Sequence, residues 1–234
     1  MTATTVLKSL QELANPEMAA HSQRFFKTAP GEYGAGDVFL GIRVPVLRQQ
    51  TSRFGLLPLT EVSELLHSEY HEARLLALFL LVKQFNRRKP DRREEICRLY
   101  LDNLSHVNNW DLVDSSAHYI VGAWLLERDK TILYELARGG GLWERRVGIM
   151  STYWFIKNGQ FDDALAIAEI LLQDLEDLIH KAVGWMLREV GNRASQVERE
   201  FLHSRYRQMP RTMLRYAIEK FPEPERQAYL HGTV

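Results

Sequence analysis

The densest run of chemistry-bearing side chains is Asn108-Asn109-Trp110-Asp111-Leu112-Val113-Asp114-Ser115. Asparagine before a carboxylate marks a helix start. Asn108 or Asn109 is expected to cap it, and Asp111 to sit in the first turn, where negative charge favours the helix dipole. Trp110 and Asp114 are four apart and share a face, while Leu112, Val113 and Ser116 turn into packing. Asp114 is expected a turn inside the helix, beside the indole. Three roles are open to it: a solvated charge, an ion pair with an arginine, or a carboxylate presented to a ligand. Metal ligation by Asp111, Asp114 and His118 is a weaker reading, because no second cluster completes the set.

Two further constellations follow. In Trp143-Glu144-Arg145-Arg146, adjacent arginines at a helix start point in different directions. One is expected to pair with Glu144 or a neighbouring helix, and the other to face outward and hold a phosphate bidentately. In His180-Lys181-Ala182-Val183-Gly184-Trp185-Met186-Leu187-Arg188-Glu189, the residues Lys181, Trp185 and Arg188 form one polar-aromatic stripe. Gly184 inside a helix is costly unless a neighbour packs closely against it. Trp185 alone reads more readily as core than as a site residue, as do Trp124 and Trp154.

The elements that must position these groups are helical. Leu75, Leu78, Phe79, Val82 and Phe85 fall on one face, and the spacing recurs in Leu112, Ser116, Tyr119, Ile120 and Ala123 and in Val147, Met150, Tyr153 and Trp154. Only residues 37–46 could be extended, and Pro45 there suits a first helical turn. Asn15-Pro16, Leu57-Pro58, Lys89-Pro90, Met209-Pro210 and Phe221-Pro222 mark helix starts, and Gly139-Gly140-Gly141 a loop. The longest irregular stretch is residues 29–41. A phosphate cradle there is weaker than a plain surface loop, since no GK[ST] follows and no strand precedes. Helices opening near His71, Asn109, Leu142, Asp177 and Arg207 are spaced 38, 33, 35 and 30 residues apart. That period predicts an all-α, HEAT-like superhelix of helix pairs forming a single domain over residues 1–234, with two or more of Trp110, Trp143 and Trp185 facing one groove. An irregular bundle is the competing architecture.

The chain of 234 residues has 30 basic and 30 acidic side chains, so it is not a protein that binds nucleic acid by being basic throughout. Charge is uneven, however. Arg87, Arg88, Lys89, Arg92, Arg93 and Arg98 cluster against Asp91, Glu94 and Glu95, and residues 188–220 hold eight basic and four acidic residues. Arginines interleaved with tryptophans fit nucleic acid better than other common ligands. The lone Cys97 can form no internal disulfide, and no apolar run approaches a membrane span, so a reducing, cytoplasmic location is expected.

These motifs resemble a known family. Phe39-Leu40-Gly41-Ile42-Arg43-Val44-Pro45, Trp110-Asp111-Leu112-Val113-Asp114-Ser115, Trp143-Glu144-Arg145-Arg146 and Lys181-Ala182-Val183-Gly184-Trp185-Met186-Leu187-Arg188-Glu189 occur in the order of the AlkD-like DNA alkylation repair glycosylases. The resemblance implies a HEAT-like fold gripping duplex DNA, and excision of N3- and N7-alkylated purines such as 7-methylguanine and 3-methyladenine. It implies no metal or cofactor, no flipping of the base, and hence tolerance of bulky adducts. It implies Asp114 as the catalytic carboxylate, Trp110 and Trp185 against the deoxyribose, Arg146 near the DNA backbone, and Lys181 and Arg188 as further backbone contacts. Three places depart from the pattern: Phe25 where tyrosine is common, Asp177 and Leu178 where aromatics occur, and a long segment 31–37. A monomer acting in a bacterial cytosol or nucleoid is the simplest expectation. The alternatives are a non-catalytic module for damaged or branched DNA and a protein-interaction scaffold.

Overall fold

A computed structural model describes residues 1–87 and 90–234. The all-helical class expected from the sequence holds, with helix packed on helix in a manner consistent with a HEAT-like α-solenoid. The chain divides into two compact units, Met1–Ser116 and Ala117–Val234.

The first unit contains α1 (Ala3–Gln11), α2 (Pro16–Phe25), α3 (Val44–Arg53), α4 (Leu59–Leu66), α5 (His71–Arg87), α6 (Pro90–Asp102) and the short α7 (Trp110–Asp114). Its centre is α5, against which α3, α4, α6 and α7 all pack. The one-sided apolar stripe expected there is an incomplete description. Leu76, Ala77, Leu80 and Leu81 are as fully buried as Leu78, so α5 is covered nearly all round. The prolines do mark helix starts: Pro16 and Pro45 lie in first turns, and Pro58 precedes α4. Pro90 opens α6, while the expectation for Lys89 lies outside the described residues, as does that for Arg88.

The irregular stretch between α2 and α3 is only half a surface loop. Its second half is sewn to the start of α5. Val38 bridges Tyr70, and the Glu72 carboxylate accepts N–H bonds from Leu40, Gly41 and Ile42 at 2.9, 2.7 and 3.1 Å. Three successive amides of this kind could hold an anion. Glu72 fills the position, which closes the phosphate-cradle reading.

The second unit runs through a π-helical turn (His118–Gly122), α8 (Ala123–Leu125), α9 (Thr131–Gly139), α10 (Leu142–Lys157), α11 (Asp162–Ile170), α12 (Asp177–Gly191), α13 (Ser195–His203), α14 (Arg211–Ala217) and α15 (Glu223–His231). Here α10 packs on α9, α11 and α12, and α12 packs on α13 and α14. At Gly184 in α12 an added Cβ would collide with the Met213 carbonyl and the Tyr216 side chain of α14, the close approach that the glycine implied.

Two further sequence expectations change. The periodic run from Leu112 to Ala123 is not one helix. The α-helical ladder stops at Ser115, and the hydroxyls of Ser115 and Ser116 bond back to the Leu112 carbonyl, competing with the backbone. The repeat expected to start near Arg207 starts at Arg211, because Pro210 sets the helix boundary. The other four starts, at His71, Asn109 as cap, Leu142 and Asp177, hold.

Candidate functional site

In the first unit, α7 presents Trp110 and Asp114 to one recess of about 450 Å³, which Phe25, Phe26, Val44 and Arg48 also line. Both Trp110 and Asp114 are half-buried. The shared face expected from their spacing is therefore real, although Asp114 is the last residue of a five-residue helix rather than a turn inside a long one.

So short a helix cannot hold itself together; its start is fixed from outside. Asn109, fully buried, caps it by accepting from the Trp110 N–H at 2.9 Å, and donates from Nδ2 to Asp37 at 3.2 Å. Asp111 is more than a dipole charge: its Oδ2 lies 2.8 Å from His71 Nε2, and the other ring nitrogen lies 2.9 Å from Asp37 Oδ2. Arg74 completes the cluster by pairing with Asp37. Burial pushes the His71 pKa down, but hydrogen bonds to Asp111 and Asp37 and their charges outweigh it and carry it up to about 9. His71 is thus an imidazolium at neutral pH, donating from both nitrogens. Burial pushes Asp37 up, whereas the His71 hydrogen bond and the Arg74 charge bring it below the usual carboxylate range.

Aromatic rings fix the indole. Phe26 stacks on Trp110 at 5.4 Å and on Phe39 at 5.1 Å, and Phe39 stacks on His71 at 4.5 Å. Phe25, 59% exposed, meets Trp110 edge-on at 6.1 Å. At the departure Phe25 an apolar edge thus faces the indole. In the same unit, burial raises the pKa of the fully buried Tyr100 well above its ordinary value; the Ser116 hydrogen bond opposes this and the charge of Asp114 adds to it.

In the second unit, Trp185 is half-buried on α12 and donates from Nε1 to Glu189 at 3.3 Å, with the Tyr153 ring 6.0 Å away. The cations expected at a DNA surface are engaged within the unit. Arg146, expected at a groove wall, is only 5% exposed and donates to the Leu178 carbonyl. Its neighbour Arg145 pairs with Asp174 at 2.6 Å, as one of the two arginines was expected to pair. Lys181 lies 2.7 Å from Asp177, and Arg188 pairs with Glu219. At Asp177 partial burial pushes the pKa up, but hydrogen bonds from Lys181 and Thr212 hold it below the usual range. Within the basic cluster around α6, Arg92 pairs with Glu95, and Arg98 with Glu94 at 3.0 Å.

Among the described residues no cluster of three or more acidic, histidine or cysteine side chains is arranged to hold a metal, and no helix is long and apolar enough to cross a membrane. Sequence reasoning missed Phe26, Asp37 and Arg48, and took His71 only as a helix start. No fixed spacing links a histidine to carboxylates 34 and 40 residues away. Arg48, four residues after Val44 on α3, was legible as a shared-face pair.

No curated protein matches the chain. A solved structure described as a predicted DNA alkylation repair enzyme from Enterococcus faecalis shares the fold, with a TM-score of 0.70 at 19% identity, covering 90% of this chain and 97% of that one. The family model described as DNA alkylation repair enzyme matches residues 6–221, nearly the full length. The chain belongs to the DNA alkylation repair enzyme family.

Proposed function

We propose that the chain is a monofunctional DNA glycosylase that hydrolyses the N-glycosidic bond of N3- and N7-alkylated purines in duplex DNA. The observation that carries this reading is that Asp114 and Trp110 line one largely apolar recess. Family membership adds the class of damage.

The chemistry needs few groups. Alkylation at N3 or N7 makes the purine cationic, so it leaves with the bonding electrons and needs no general acid. Positive charge develops on the sugar, as in glycoside hydrolysis. A carboxylate about 4 Å from that charge is worth roughly 4 kcal/mol at an effective dielectric near 20, or about three decades of rate. Asp114 is proposed to supply this charge and to orient the water that adds to C1′, whose proton passes to solvent. The Trp110 face offers a negative quadrupole and a dry wall.

Trp185 is proposed as a second indole acting on the same substrate, with Arg146, Lys181 and Arg188 as lesser contributors to binding, the latter two after exchanging Asp177 and Glu219 for phosphate. The enzyme is proposed to act as a cytoplasmic monomer without metal or cofactor. Lys181 is not a Schiff-base nucleophile on this reading, so borohydride should trap no protein–DNA adduct.

The direct test is release of free base from duplex DNA carrying 7-methylguanine, incubated with purified protein and followed by chromatography. Release above the spontaneous rate is expected. DNA binding without release would leave only the non-catalytic module.

A further inference from the structure

We propose that Arg48 is a phosphodiester-binding residue that seats the DNA strand at the Asp114 recess. This rests on duplex DNA being the ligand, as the proposed function holds.

Three observations lead there. Arg48 lines the same recess as Trp110 and Asp114, from the opposite element α3. Its guanidinium carbon sits 4.5 Å from the centroid of the Phe79 ring, a side chain itself only 7% exposed. A guanidinium held over an aromatic face loses little further freedom when its N–H groups meet a phosphate, and it offers them in a rigid fork. Finally, Arg48 is exposed, and among the described residues no carboxylate pairs with it. This distinguishes it from Lys181 and Arg188, each engaged by an acidic neighbour.

The element that carries it points the same way. Helix α3 begins without a side-chain cap and without an acidic residue in its first turn, so its own side chains add no negative charge to the positive end of its dipole. Val44, the first residue of α3 and 44% exposed, lies on the recess wall one turn before Arg48. Helix end and guanidinium therefore set positive potential on the same side of the recess, where the charge of a strand would lie while Asp114 faces its sugar.

The test is duplex binding by fluorescence anisotropy across a salt series, in an Asp114→Asn background so that lesion DNA survives. Arg48→Gln should weaken binding about tenfold, by the same factor for lesion and undamaged duplex, and lower the slope of log K against log salt by about one. Arg48→Lys should restore part of both. Arg48→Met keeps the aliphatic stem over Phe79 and should behave as Arg48→Gln. A variant that is only less stable loses binding amplitude without a change of slope. Unchanged affinity and slope in Arg48→Gln and Arg48→Met would overturn the assignment. If the slope depends on Arg48 but wild type releases no base, the glycosylase reading falls and the phosphate site stands. If wild type releases base and Arg48→Gln binds normally, the reverse holds. Absence of any salt-dependent DNA affinity in the wild type removes both.

Discussion

The Nε2 of His71 donates a 2.8 Å hydrogen bond to the Asp111 carboxylate, tying the first residue of α5 to the first turn of α7. Asp111 is three residues from Asp114, so this bond, with the Asn109 cap, determines where a five-residue helix holds its carboxylate and its indole. The opposite ring nitrogen is held by Asp37, which leaves the imidazole little freedom to rotate.

The charge on His71 makes stability depend on pH. Its pKa in the folded protein, about 9, lies above its ordinary value of 6.5, so its contribution is complete below about pH 6.5 and is lost as pH rises through 9. The shift corresponds to about 3 kcal/mol. Urea unfolding of His71→Gln should therefore show a deficit of that order at pH 6 that shrinks towards pH 9.5. A deficit independent of pH would mean that His71 is neutral in the fold.

Phe26 sets the Trp110 ring, which it meets at 5.4 Å and an interplanar angle of 20°. Phe26→Ala should cost about 2 kcal/mol, less than a fully buried phenylalanine because the ring is half-exposed. It should also slow base release several-fold at saturating DNA, whereas Phe26→Tyr retains most of the rate. Equal rates for wild type and Phe26→Ala would remove the stack from the account of the site.

Gly184 and Gly139 should respond oppositely to alanine. At Gly184 the new methyl meets the Met213 carbonyl, and the α12–α14 crossing must open, costing on the order of 1–3 kcal/mol. At Gly139, the end of α9, nothing lies within 4 Å, and alanine should leave the melting temperature unchanged or raise it. A Gly184→Ala protein as stable as wild type would show that the crossing is not tight.

These elements show what sequence could and could not convey. Helix starts were legible at Leu142, just after the Gly139–Gly141 break, and at Asp177, where a charged opening precedes an apolar stripe, because such signals act over a few residues. Trp110 and Asp114 were legible as a pair because helical spacing alone places them together. Long-range relationships were not. The cluster of Asp37, His71, Arg74, Asn109 and Asp111 joins three separated segments, and no local pattern announces it. Arg146 shows the opposite case: its motif position suggested an outward side chain, and tertiary packing buries it against the Leu178 carbonyl. The break after Asp114 was hidden because serine hydroxyls end the ladder while the apolar period continues.

The central claim is that the Asp114 charge, and not merely its shape, drives bond cleavage. Single-turnover release of 7-methylguanine by Asp114→Asn, with enzyme in excess over a duplex carrying one lesion, tests it most directly. The account predicts a rate at least tenfold below wild type with duplex affinity retained. A wild-type rate in that variant would contradict it.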